Sequence, residues 1–545
     1  MNRKSEQSFL ERYEFLVPFF LFTIFLAFTL PGISWGAPSI WNPDEIVVRS
    51  IKALYGEWKF SEINFNYPDL PQYTMFFLGK AILALGYTER EIIIASRVLS
   101  AALAGLTVVF AYRIARRAGA GIYTAGLSGL FLICVTDLSN NGRFAHNDTY
   151  SAFFSTLAIL FLLVYTKTDR KGLLYASFIA VGMAASSKYI AGSLVLAPLL
   201  LYVILQAKNF KKDWFSIGET LFISAALTYL GFAAGTPKAL TWMAYFFKRV
   251  YAALDWQVAW GRREDSVRGI LGQYRLMEES LGLPLYLLFV AAVVWACYRI
   301  VRAARERSLN RTSKEGAFAV LLLGILALDL PVMISYNYQP RYLLPFMPML
   351  AVLAAFFVED LYKRVKQFSS PWLPAAVTAA VVFVVFYSLA RLTSVALLFI
   401  HDARIPAGEF LLTLPVGSTL EHTNYPPSYP DGYFEREHNY PLHFQMGKND
   451  TAPTDKPYEF NKGEAGLLER QTDYLIVDSF TANKFDDPFF CNQVPVECEF
   501  FKQLATGRSE HYELIAEFEY QLPWYLPKVH VTFANPTIRI YQRIK

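Results

Sequence analysis

Stretches of apolar residues long enough, or nearly so, to cross a hydrocarbon core of ~30 Å recur along the first 400 positions. They lie at about 14–33, 91–115, 121–138, 148–166, 172–187, 189–206, 214–236, 283–301, 316–335, 341–359 and 372–400, which predicts about eleven membrane-spanning helices. The chain is 54% hydrophobic and only 18% charged, too apolar for a water-soluble protein of 545 residues. Its net charge of +5 sits in short loops rather than in a basic stripe interleaved with aromatics, so nucleic acid is not an expected partner.

The basic residues test the span count. Arg3/Lys4/Arg12, Arg113/Arg116/Arg117, Lys167/Arg170/Lys171, Lys208/Lys211/Lys212, the group from Arg299 to Lys314, and Lys363/Arg364/Lys366 fall in every second loop, which makes that side cytosolic. The first apolar run then reads as an uncleaved span rather than a signal peptide, and the C-terminal tail lies outside the cell. Leu70 to Leu85 is apolar too, but counting it would reverse every later loop. Its Pro68 and Pro71 at the entrance and its length suit a helix lying on the outer surface. Outer loops therefore run over 34–90 and 236–282, the second carrying Trp242, Asp255, Trp256, Trp260, Glu264 and Asp265.

After Ile400 the composition turns to Pro, Asn, Asp, Tyr and Glu, with strand-like runs at Tyr474–Val477, His511–Phe518 and Thr537–Tyr541. Residues 401–545 are expected to form a separate α/β or α+β domain beside a membrane domain of 1–400. Cys491 and Cys498 stand seven positions apart there and form a disulfide if the tail is extracytoplasmic, whereas Cys134 and Cys297 sit in apolar runs.

Chemistry is expected at Asp44-Glu45, an acidic pair directly after the first span. Asn42-Pro43-Asp44-Glu45 also reads as a helix start, with Asn as N-cap, Pro at N1 and acids in the first turn, ahead of an amphipathic stretch holding Arg49. The short outer loops carry single cations, Arg143, Lys188 and Arg341, which as a set point to an anion site such as a phosphate. Asp148 opens the fourth span, where its plain role is a helix cap. His146 and His401 match no metal-ligand spacing, so no cofactor is expected, with a divalent metal left open. Asn147-Asp148-Thr149 and Asn449-Asp450-Thr451 match a weak glycosylation pattern.

Five short motifs occur in order on the expected outer face: Asp44-Glu45, the segment Tyr67 to Tyr73, Arg143 with Asp148, Lys188, and Pro340-Arg341-Tyr342-Leu343-Leu344-Pro345. Together they resemble the type C (GT-C) membrane glycosyltransferases, in the branch of protein O-mannosyltransferases and the lipid A aminoarabinose transferase. The likeness covers about residues 10 to 410, where His401-Asp402-Ala403-Arg404 closes it. It implies a polyprenyl-phosphate-linked sugar donor, a glycan, lipid or protein acceptor, and a location in the plasma (inner) membrane. It further implies Asp44 as catalytic base; the residues themselves suggest Glu45 as its assistant, Arg341, Lys188 and Arg143 as donor-phosphate ligands, and Asp148, Arg49, Tyr67 and Tyr338 in support. Tyr67-Pro68-Asp69-Leu70 stands where the family has His-Pro-Pro-Leu. The alternative is a lipid or glycan transporter, which predicts charges near mid-membrane and matched repeats. An assembly or receptor protein needs far fewer spans.

Overall fold

The computed structural model describes residues 12–60, 67–259, 267–439, 463–493 and 495–544. Trp260, Glu264, Asp265 and Asn449 to Thr451 lie outside these residues. The chain divides into two compact units, one of residues 1–33 and 44–395 and the other of 34–43 and 396–545.

The first unit is helical, and this is a multi-pass membrane protein. Among the described residues seven helices are long and apolar enough to span a bilayer, or eight if the pair Ile122–Ile133 and Thr136–Gly142, bent by 63°, forms one broken span. The expected count of eleven is not confirmed. Leu16–Thr29 has 14 residues and Lys171–Ser187 has 17, short for a straight crossing. The stretch 189–235 is broken by a 3-10 turn at Ala207–Asn209 and a non-helical Asp213. The helix Leu70–Ala84 has 15 residues, about 22 Å, which is less than a hydrocarbon core.

Two helices carry the site's framework. Glu89–Ala118 opens on a capping box of Thr88 and Glu91 and closes on Gly119 in the left-handed region. Lys171–Ser187 packs on Phe210–Gly235 through glycines, since a Cβ on Gly182 would stand 2.1 Å from Thr228 O and one on Gly231 2.4 Å from Ile179 O. Backbones that approach this closely are a usual way to join helices in lipid, where apolar burial gives no driving force. The contact fixes the helix that ends at Lys188.

The second unit is a mixed five-stranded sheet, with β1 at Thr419–His422, β2 at Arg436–Asn439, β3 at Tyr474–Asp478, β4 at Tyr512–Phe518 and β5 at Ile538–Arg543. The order is β2-β1-β3-β5-β4, with β1 parallel to β2 and β3, and β5 antiparallel to β3 and β4. Alternation along β3 sends Leu475 and Val477 into a core with Phe485, Phe500 and Leu504, and Tyr474 and Ile476 into another with Leu411, Leu420 and Phe434. Both faces are covered, so all five β3 residues are buried. Cys491 and Cys498 are disulfide-bonded.

Candidate active site

The expected helix start at Asn42 is not what forms. The helix begins at Val47, with Ile46 as its N-cap, and Asp44 and Glu45 stand in the turn before it. The reason lies in what Glu45 does. Its fully buried carboxylate takes two bonds from the Arg97 guanidinium, at 2.9 and 2.7 Å, and a third from the Ala145 amide at 2.7 Å. Ile46 N in turn donates to Ala145 O. These bonds take the carboxylate away from a helix-capping role and pin the turn between the span carrying Arg97 and the segment after Thr136–Gly142. Glu45 is therefore enclosed, and its carboxylate braces the turn that carries Asp44.

Asp44 is placed by that anchor and keeps a third of its side chain exposed. Its Oδ2 lies 2.9 Å from Arg341 Nη1. Arg341 sits in a 3-10 turn, Pro340–Phe346, with prolines at 340 and 345. Its Nε lies 4.0 Å from Asp148 Oδ2 and has no hydrogen-bond partner among the described residues. Asp148, 1% exposed in the first turn of Asn147–Thr168, is also paired with Lys188, and its Oδ2 stands 2.5 Å from His146 Nδ1. It is a hub for cations, not a cap. Lys188 Nζ further rests 4.0 Å above the Tyr342 ring. Asp44, Arg341, Asp148 and Lys188 thus form one chain of alternating charge, brought together from four parts of the sequence.

Arg49 lies in the helix Val47–Leu54 that follows Asp44, its guanidinium 4.7 Å over the Tyr67 ring and 5.3 Å over Trp58. Partial burial, and after it the Asp44 carboxylate, hold the Tyr67 phenol above the ordinary tyrosine range, so Tyr67 stays a neutral donor. Asp69, 1% exposed, accepts from Gln72 Nε2 through Oδ1, and its amide donates to Thr236 Oγ1. The acid of the segment Tyr67-Pro68-Asp69-Leu70 is thereby absorbed locally.

Two of the expected site residues are engaged elsewhere. Arg143 is 1% exposed and donates to Phe28 O, to Pro31 O at 3.2 Å and to Ser139 O at 3.0 Å, bracing the end of the first apolar helix. A guanidinium saturating backbone carbonyls inside the protein fits a structural role better than a phosphate ligand. Tyr338 packs on Gly272, where a Cβ would come within 1.9 Å of its hydroxyl. Asn147 is likewise 1% exposed, so the folded chain does not offer it for glycosylation. Sequence reasoning missed Arg97. The available signal was a lone cation inside an apolar run, which needs a buried carboxylate partner.

In the second unit, Asp402 and Arg404 form a fully buried pair at 2.8 Å. Asp402 also accepts from Trp35 Nε1 at 2.9 Å, and the Arg404 guanidinium lies 4.2 Å over Trp41. The strap 34–43, which leads directly into Asp44, is thereby held rigid. Among the described residues no group of three or more His, Cys, Asp or Glu is arranged to hold a metal ion.

A family model, dolichyl-phosphate-mannose-protein mannosyltransferase, matches residues 56–251. A curated relative from Aquifex aeolicus (strain VF5), itself an uncharacterized protein, is 24% identical over 366 residues, which is 64% of this chain and 66% of that one, just under two thirds. The structure is similar to that of ArnT from Cupriavidus metallidurans bound to undecaprenyl phosphate, with TM-score 0.51 and 13% identity over 95% of this chain and 97% of that one. It is also similar to the oligosaccharyltransferase AglB from Archaeoglobus fulgidus in complex with an inhibitory peptide and a dolichol-phosphate, with TM-score 0.54 and 10% identity over 98% and 89%. The chain thus shares the fold of these two structures, and its segment 56–251 matches the mannosyltransferase family model.

Proposed function

We propose that the protein is a glycosyltransferase that moves a sugar from a polyprenyl-phosphate donor to an acceptor hydroxyl on the non-cytosolic face of the membrane. The observation that carries this reading is the Asp44–Arg341–Asp148–Lys188 chain, which sets an accessible carboxylate beside two cations of which one has an uncommitted N–H. A phosphate monoester-like leaving group needs cations, and an acceptor hydroxyl needs a base. Both comparison structures have a lipid phosphate bound. The disulfide between Cys491 and Cys498 supports an oxidising compartment for the tail.

In this reading the acceptor oxygen attacks the anomeric carbon while its proton passes to an Asp44 oxygen. The bond from that carbon to the phosphate oxygen breaks, and its electron pair leaves with the phosphate. Attack from the face opposite the phosphate inverts the configuration. A carboxylate is a weak base at neutral pH, so Asp44 acts through position, taking the proton as the new bond forms. The phosphate goes from about one negative charge to nearly two, so Arg341 and Lys188 bind the transition state more strongly than the donor. Asp148 holds both cations in place, and Glu45 with Arg97 fixes the turn that aims Asp44.

The test is transfer from a polyprenyl-phosphate-linked sugar by the purified full chain in vesicles, beside Asp44→Asn. Transfer lost in the variant with donor still bound is the expected result, and equal transfer by the two proteins removes Asp44 from the mechanism. Lipid movement without bond cleavage in the native protein would restore the transporter reading.

A further inference from the structure

We infer that the second unit carries a saccharide-binding subsite for the acceptor, in a cavity between the strap 39–43 and the loop 424–431. This rests on the glycosyl-transfer reading above and names the class of acceptor that such a reaction takes. The cavity has a volume of about 270 Å³ and its walls include Trp41, Asn424, Tyr425, Ser428, Tyr429 and Asp431. Three aromatic rings and three prolines stand beside an amide, two serine hydroxyls and one carboxylate, and no Lys, Arg or His lines it. Aromatic faces cover the apolar faces of pyranose rings, while neighbouring sugar hydroxyls both give and accept hydrogen bonds. The one charged group in the walls is a carboxylate, which disfavours a phosphate or other anion.

Two residues of these walls each carry an enclosed polar atom that lacks the partner buried groups normally find. Trp41 is 8% exposed, and its indole N–H makes no hydrogen bond among the described residues. Ser428 Oγ is in the same state. The wall is also stiff, because Trp41 is stacked under Arg404 at 4.2 Å and edge-on to Trp35 at 5.4 Å. Preformed walls lose little on binding. Pro43, another wall residue, is bonded directly to Asp44, so a sugar seated here is tied by the chain itself to the proposed base. A proline-rich peptide is the competing occupant, but a run of prolines brings no N–H or O–H to the Asp431 carboxylate, whereas sugar hydroxyls do.

Saturation-transfer NMR on the full chain in nanodiscs free of sugar detergents tests this, with maltotriose and chitotriose as probes and the pentapeptide Ala-Pro-Pro-Thr-Pro as comparison. Saccharide signals are expected with the native protein and equally with Asp44→Asn. They should be roughly 3–10-fold weaker in Tyr429→Ala, as loss of one aromatic contact implies. Asp431→Asn, at the exposed rim, should also weaken them and guards against a folding artefact at Tyr429. No saccharide signal, signals unchanged in both wall variants, or a Tyr429-dependent signal from the pentapeptide alone would overturn the subsite. Because Asp44→Asn is read by transfer and the subsite by binding, failure of one leaves the other standing.

Discussion

Replacing Glu45 with alanine separates positioning from catalysis. The Glu45–Arg97 pair is fully buried, with two guanidinium bonds and one amide bond converging on a single carboxylate. Removing the acid leaves a guanidinium without its counter-charge inside an apolar span and the Ala145 amide without its acceptor. Breaking a buried pair in this way costs about 3–5 kcal/mol, and stranding a buried amide a further ~1–3 kcal/mol. The Asp44–Arg341 pair is part exposed, so Asp44→Asn should change stability by less than about 1 kcal/mol. Thermal unfolding in detergent and sugar transfer on the same samples give the readouts. Glu45→Ala should lower both the unfolding midpoint and the turnover, whereas Asp44→Asn lowers turnover alone. The double variant Glu45→Leu/Arg97→Met, which removes both charges, should recover much of the stability but little of the activity, because the turn loses its directional anchor. A Glu45→Ala protein as stable as the native one would refute the argument, as would a double variant with full activity.

Arg341→Ala should reduce turnover by ~10²–10³, the usual cost of a donor aimed at developing charge, and also weaken binding of the lipid phosphate, measured by transfer rate and phosphate-lipid titration. Lys188→Ala should act in the same direction, whereas Arg143→Ala should show mainly in the unfolding midpoint, since its bonds go to backbone carbonyls. Tyr67 titrates above its ordinary value, so Tyr67→Phe should leave the shape of the pH–rate profile unchanged between about pH 6 and 9; a lost alkaline limb would contradict this. Cys491→Ser opens a short loop and should destabilise the second unit by ~2–3 kcal/mol, read from denaturant unfolding with and without reductant.

Long apolar runs and the tail strands at Tyr474, His511 and Thr537 were legible because hydrophobic period and length are local properties. Strands β1 and β2 escaped, since Thr419–His422 and Arg436–Asn439 are short and polar and gain their place only by pairing with the sheet. The helix start at Asn42 was good local chemistry, but Arg97, fifty-two residues away, took the Glu45 carboxylate and moved the start to Val47. Solitary cations on one face led to Arg341 and Lys188 but also to Arg143, because residue type does not tell a guanidinium paired with carboxylates from one bound to carbonyls. His146 was visible yet had no metal spacing to single it out, and its partner Asp148 emerged only from the packing.

The most direct test measures polyprenyl phosphate released from a radiolabelled polyprenyl-phosphate sugar extract by the full chain in sealed vesicles, with and without Asp44→Asn. The account predicts one polyprenyl phosphate released per sugar transferred by the native protein, and donor bound but uncleaved in the variant. Equal release by both proteins, or label that crosses the bilayer with its phosphate bond intact, would contradict it.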